Sequence, residues 1–246
     1  VRVRNLTVRA TGQLPLPIFR GPCFAEVDFC EAPSNADACI WLRRTAHWPN
    51  HRLALWGEAG RGKTHLLHIW AARTGATLCT GPSLSGASEL PHAGFALDDA
   101  DAAPDETALF HLLNAAGEAR LPILLAARFA PSRWPVRLPD LASRLRAIAA
   151  VEIGPPEETL LRALLVRQLA ERQLRPPEAV QEWLVRRLPR SAAVLREAVA
   201  RLDAASLERR RNITVPFATD VLADLLASDE ISGTVSPPSQ CGPALL

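Results

Sequence analysis

Lysine is almost absent from this sequence. Of its 28 Lys and Arg residues, Lys63 is the only lysine. Most surface positions accept either cation, so a bias toward arginine codons removes lysine wherever a planar fork serves as well. A site that needs a compact ammonium resists that exchange. Methionine is missing altogether, position 1 included, as expected of a valine-coded start or of a truncated chain. The five cysteines, Cys23, Cys30, Cys39, Cys79 and Cys241, form no CxxC pair and show no metal-ligand spacing. Their odd number excludes a complete disulfide framework, and reduced, mostly buried thiols in a reducing compartment are expected. No apolar run approaches the ~18–20 residues of a membrane span, and the first residues lack the apolar core of a secretory signal. A soluble, cytoplasmic protein without membrane contact is expected. With a net charge of only +2, any basic function must be local.

What is present is a chain of 246 residues, 48% hydrophobic and 22% charged, enough for one large or two small domains with a real core. Residues 1–22 are proline-rich and without helical period, and read as an extended arm. Residues 36–46 fit a short helix. Arg52–Trp56 is a short apolar run that suits a buried parallel strand. In the following stretch, Lys63–Arg73, the apolar residues Leu66, Leu67, Trp70 and Ala71 share one helical face. Further strands are expected at Ala76–Cys79, Gly94–Leu97, Pro122–Ala127 and Ala149–Ile153. Helices are expected at Glu106–Arg120 and around Leu141–Leu145. Strands alternating with helices at these spacings predict a five-stranded parallel α/β sheet. Gly154-Pro155-Pro156 ends the alternation, and only helices follow: Glu157–Arg172, Pro177–Arg187, Ser191–Arg210 and Phe217–Leu226. The expected organisation is an arm over 1–22, an α/β base over 23–155, a small all-helical lid over 156–227 and a disordered tail over 228–246.

The lone lysine lies in Gly57-Glu58-Ala59-Gly60-Arg61-Gly62-Lys63-Thr64, a full match to G-x-x-x-x-G-K-[ST]. The glycines let the loop wrap with its backbone N–H groups turned toward phosphate oxygens, and the helix start adds a favourable dipole. Lys63 then reaches the outer phosphates, and the Thr64 hydroxyl ligates Mg²⁺. The preceding strand and following helix are the context that such a loop needs. A second element is Asp98-Asp99 at the end of the third strand. There Asp98 is placed to hold Mg²⁺ through its water shell, and Asp99 to orient an attacking water. His65 and His68 follow the loop on its helix. Without neighbouring ligands at metal spacing, packing or a phosphate-edge contact by His65 is preferred to metal binding.

Beyond these motifs the sequence, over roughly residues 13–226, resembles the DnaA/Hda family of AAA+ proteins. The phosphate loop and helix, Gly57–Leu67, are very like those of the family. Phe29-Cys-Glu-Ala-Pro-Ser34-Asn35-Ala-Asp-Ala38 is similar to the family's adenine-pocket segment, which implies that Ser34 and Asn35 contact the base, although Ala32 stands in place of a usual glycine. Leu138-Pro-Asp-Leu-Ala-Ser-Arg144-Leu145 matches the segment carrying an arginine finger. On the residues alone Arg144 reads as an ion pair at a helix end; the resemblance makes it a finger acting in trans on a partner's ATP. Gln13-Leu14-Pro15-Leu16-Pro17 resembles the family's motif for docking on the β sliding clamp of DNA polymerase III. In an extended chain Leu14 and Leu16 face the same way and Proline keeps the segment extended.

The resemblance implies a nucleotide-binding negative regulator of replication initiation that acts on DnaA, with ADP or ATP and Mg²⁺ as cofactors. It also implies residence at the nucleoid and replisome, and a homodimer or higher oligomer as a possible assembly. Two departures bear on this protein's own turnover. Arg128 stands where the family's fourth strand ends in an acid, and Ala193 where the lid carries a nucleotide-sensing arginine, with Arg190 and Arg196 one turn away on either side. Resident ADP, rather than rapid hydrolysis, fits both. No DNA-reading module is visible, so sequence-specific DNA binding is not expected. The other readings are an ATP-driven initiator or helicase loader, a small-molecule P-loop kinase and a nucleotide-independent adaptor. Intrinsic turnover and extracted nucleotide separate them.

Overall fold

The computed structural model describes residues 24–85 and 93–232, with side chains through residue 227. Five strands form one parallel sheet: β1 (Arg52–Trp56), β2 (Thr77–Thr80), β3 (Phe95–Asp98), β4 (Ile123–Ala127) and β5 (Ala149–Glu152). Their order is β2-β3-β4-β1-β5. The central strands are continuous apolar runs because both faces of the sheet are covered, as parallel sheets require. Along β1 the side chains alternate between those faces. Leu53 and Leu55 pack with Leu67, Trp70, Leu124 and Ile153 on one side, against α1 (Ala36–Arg43) and α2 (Lys63–Thr74). Ala54 faces the other side, where Leu97, Leu113, Leu125, Leu141 and Leu145 meet under α3 (Glu106–Glu118) and α4 (Pro139–Arg146). Each fully buried leucine contributes about 1.5–3 kcal/mol.

Local chemistry sets the helix ends. Gly62 and Gly75 bracket α2 in left-handed conformations. The Asp105 carboxylate accepts the Ala108 N–H at the start of α3. After the Gly-Pro-Pro break the chain is helical: α5 (Glu158–Glu171), α6 (Glu178–Arg187), α7 (Ala192–Arg209), α8 (Val215–Val221) and α9 (Ala223–Ser232). These form a lid with its own core of Leu161, Leu165, Leu184, Leu195, Val199, Leu202 and Phe217. The architecture is therefore a five-stranded parallel α/β base with a helical lid.

Two expectations change. The single helix expected over Phe217–Leu226 is two, because Leu222 leaves helical geometry between α8 and α9. The last helix also runs to Ser232, so the tail expected from residue 228 begins inside it. Of the cysteines, Cys30, Cys39 and Cys79 are free; Cys39 alone is buried, and burial pushes its thiol up to about 11. Among the described residues no helix is long and apolar enough to cross a membrane.

Candidate functional site

The strand order puts the phosphate loop and the acidic pair at one end of the sheet. The loop leaves the carboxyl end of β1, and Asp98 ends β3, with β4 between them. This switch in strand order is where open α/β sheets hold ligands. The loop's shape depends on its glycines. Gly57, Gly60 and Gly62 have φ values of 149°, 78° and 90°. A Cβ on Gly57 would lie 2.6 Å from the Ile153 carbonyl oxygen, and one on Gly60 only 2.0 Å from the Ser191 hydroxyl. Lys63 is 8% exposed, and its ammonium donates to the carbonyls of Gly57 (2.5 Å) and Glu58 (2.7 Å). Burial lowers its pKa, opposed by the charges of Asp98, Asp99 and Asp101; Arg128 adds to the lowering.

Thr64 and Asp98 meet as the motif requires: the Thr64 hydroxyl donates to Asp98 Oδ2 at 2.7 Å. Asp98 Oδ1 accepts the Asp99 N–H at 3.0 Å, and Asp99 adopts a left-handed φ of 46°. The polar atoms that would share a divalent cation are thus already adjacent. Arg61 supplies a further sign of fit to a phosphate chain. Its Nη2 donates to Glu58 at 2.7 Å, while its buried Nη1 has no partner among the described residues. Buried donors without partners are rare, and a phosphate oxygen is one that would satisfy it. Glu58 and Ala59 are exposed parts of the loop.

Other residues named from sequence are placed differently. Asn35 is buried and spends its amide on protein: Oδ1 accepts the Ala32 N–H at 3.0 Å and Nδ2 donates to the Cys30 carbonyl at 3.1 Å. The Ser34 hydroxyl donates to Glu157 at 3.0 Å, and its carbonyl accepts the Gly154 N–H at 3.0 Å. Both side chains build the segment that crosses to the lid. His65 approaches the Ala25 carbonyl at 3.0 Å and meets the edges of Phe24 and Phe29, while His68 stacks on Phe24 at 4.1 Å. Burial lowers the pKa of both histidines. No cluster of three or more metal-ligating His, Cys, Asp or Glu side chains occurs among the described residues. The segment Gln13–Pro17 lies outside them.

Ser191 is a contact that the sequence reading missed. It caps α7 by accepting the Val194 N–H at 3.5 Å, and it lies against Gly60 beside Ala193. The lid thus touches the phosphate loop through small side chains. Nothing in the local sequence around Ser191 signals a loop 131 residues earlier in the chain.

Arg144 lies elsewhere. It sits in the last turn of α4, just before β5, whose Ala149 pairs with Leu53 near the start of β1. The phosphate loop follows the far end of β1, about 13–16 Å away at ~3.3 Å per residue. The Arg144 guanidinium is half-buried, 5.1 Å from the centroid of Phe110, with no carboxylate partner among the described residues. The ion pair at a helix end is therefore not what holds it.

Comparison with known proteins accords with this arrangement. Residues 157–222 match the family described as "Hda, lid domain". A relative from Haemophilus influenzae, described only as an uncharacterized protein, is 31% identical over 188 residues, 68% of this chain and 80% of its own. Among solved structures, domain III of Thermotoga maritima DnaA superposes with a TM-score of 0.68 at 16% identity, covering 84% of this chain and 98% of that one. AMPPCP-bound DnaA from Aquifex aeolicus gives 0.59 at 16% identity, over 74% and 67%. The Thermotoga maritima RuvB Holliday junction branch migration motor gives 0.59 at 18%, over 78% and 68%. At these identities the structural likenesses establish the fold, and the family match is that of the lid. The chain has the AAA+ fold, and its residues 157–222 belong to the Hda lid-domain family.

Proposed function

We propose that this protein is a negative regulator of replication initiation that holds adenine nucleotide at its phosphate loop and presents Arg144 to ATP bound by DnaA. The observation that carries the reading is the position of Arg144. It has no carboxylate partner among the described residues and lies at the opposite end of the sheet from the chain's own loop. A planar, permanently charged guanidinium so placed suits charge that develops on a neighbour's terminal phosphate.

At its own loop the chain's residues have a holding role. The backbone N–H groups from Gly57 to Thr64 and the Lys63 ammonium bind the phosphates of ADP or ATP, and Arg61 Nη1 gains an acceptor. Thr64 and Asp98 would hold Mg²⁺, which supplies charge neutralisation between the phosphates. ADP is the proposed resident, because an alanine, Ala193, stands against Gly60 where the family resemblance implies a nucleotide-sensing arginine. In this reading Gln13–Pro17 tethers the chain to the β sliding clamp on DNA, at the replisome in the cytoplasm.

The test is hydrolysis of DnaA-bound ATP with DNA-loaded clamp. Arg144→Ala is expected to keep nucleotide and clamp binding and to return the rate to that of DnaA alone. Undiminished stimulation by that variant sinks the reading. A second reading, an ATP-driven machine, is favoured by the intact set of Lys63, Thr64, Asp98 and Asp99. It requires that the purified protein turn over ATP by itself and lose this with Lys63→Ala.

A further inference from the structure

A cavity of about 570 Å³ opens beside Arg144, within the range of small-ligand sites. Arg52, Arg120 and Arg144 line it together with Asn50, His51 and Gly117, and none of its lining residues is acidic. We propose that this cavity is an anion site in which Arg52, Arg120 and Arg144 together take a polyphosphate chain, delivered as the nucleotide of a docked ATPase. The trans source of the phosphate rests on the reading of Arg144 as a finger; the anion site itself does not.

The three arginines come from the start of β1, the turn after α3 and the end of α4, and only the parallel topology brings them together. Arg52 is the part most clearly built for the purpose. It is 91% buried, counting its 9% exposure. Its Nη2 donates to the Leu113 carbonyl at 2.6 Å, while Nε is buried without a partner among the described residues. Arg52 thus lines the cavity with a guanidinium whose hydrogen bonds are incompletely used, capacity that an oxyanion fits. Room for it is made by Gly117, where a Cβ would lie 2.9 Å from the Arg52 guanidinium. Glycine inside a helix is disfavoured relative to alanine, so the space is kept against local propensity.

The rim is also held in unusual backbone. Asn50, His51 and Arg120 have φ values of 51°, 57° and 53°. Non-glycine residues seldom adopt this region, and they gather at sites that fix a ligand. Arg120 ends α3 there, with its N–H on Gly117 and the Leu121 N–H on Ala116. Burial first, and then the repulsive charge of Arg144, lowers the pKa of Arg52. A phosphate chain would relieve that repulsion and accept planar forks bidentately.

Arg120→Gly provides the test, because glycine accepts the left-handed turn and the guanidinium alone is lost. The full chain is first made Lys63→Ala to silence the phosphate loop, and inorganic tripolyphosphate is titrated in by calorimetry. Binding is expected, weakened about tenfold by adding either Arg120→Gly or Arg144→Ala, with the melting temperature of Arg120→Gly unchanged or raised. Arg120→Gly in the otherwise natural chain is then expected to lower stimulation of DnaA-bound ATP hydrolysis about tenfold. Unchanged tripolyphosphate binding in both variants overturns the anion site. Lost binding with full stimulation overturns the docked ATPase as the source and assigns the site to free polyphosphate. If Arg144→Ala abolishes stimulation while Arg120→Gly changes neither readout, the inference fails and the finger stands alone.

Discussion

Ala193 stands 3.5 Å from the point where a Cβ on Gly60 would lie, and Arg128 follows β4 directly beside the start of the phosphate loop, where the Gly57 N–H reaches the Ala127 carbonyl at 3.3 Å. The first position lacks a cation and the second adds one. Arg128 uses its backbone N–H on Asp101 at 2.9 Å, and its exposed guanidinium forms no ion pair among the described residues. Both residues bear on charge at the outer phosphates. A lid guanidinium at residue 193 would reach over the loop, and removing Arg128 would take away a charge that acts against the Lys63 ammonium. The double variant Ala193→Arg with Arg128→Asp is therefore expected to raise intrinsic ATP turnover roughly tenfold or more. Single-turnover hydrolysis on the purified chain measures it. A rate that does not change would remove these two positions from the explanation of a slow resident nucleotide.

At the level of elements, the decisive contact is between the loop after β1 and the start of α7. Gly60→Ala is expected to cost about 1–2 kcal/mol from its positive φ alone. A further cost comes from the clash with Ser191. Ser191→Gly alone costs only a few tenths of a kcal/mol as a helix cap. Combined with Gly60→Ala it recovers the steric part, so the two changes should couple by at least about 0.5 kcal/mol in denaturant midpoints. Strict additivity would mean that the lid does not press on the loop in solution. This contact also marks the limit of what the sequence carries. The strands were legible because apolar runs such as Arg52–Trp56 and Pro122–Ala127 need both faces covered, and the loop because each of its residues has a chemical task. Thr64 and Asp98 were legible for the same reason. Ser191 on Gly60 and Arg52 under Gly117 depend on contacts far apart in sequence, which no local period encodes. Asn35 was named through the family resemblance alone, and its amide clips the backbone at Ala32 and Cys30, a contact that no local pattern signals.

Taken as a whole, the molecule has a phosphate loop at one end of its sheet and an arginine-lined cavity at the other. Two unlike faces of this kind favour head-to-tail contacts, which do not close on themselves as symmetric dimers do. A second copy loaded with ATP would present to the cavity what is proposed for DnaA. The expected result is concentration-dependent association in ATP, read by sedimentation velocity and lost when all copies carry Lys63→Ala or when all carry Arg144→Ala. An equal mixture of the two variants separates this geometry from a symmetric one. The Lys63→Ala copy keeps its cavity and the Arg144→Ala copy keeps its nucleotide, so one productive interface can form and neither outer face can extend it. The mixture should therefore stop at dimers, whereas the natural chain continues to larger species. A dimer that survives in both variants alone, at unchanged affinity, would mean that copies meet through some other face and that the polarity of the sheet does not govern assembly.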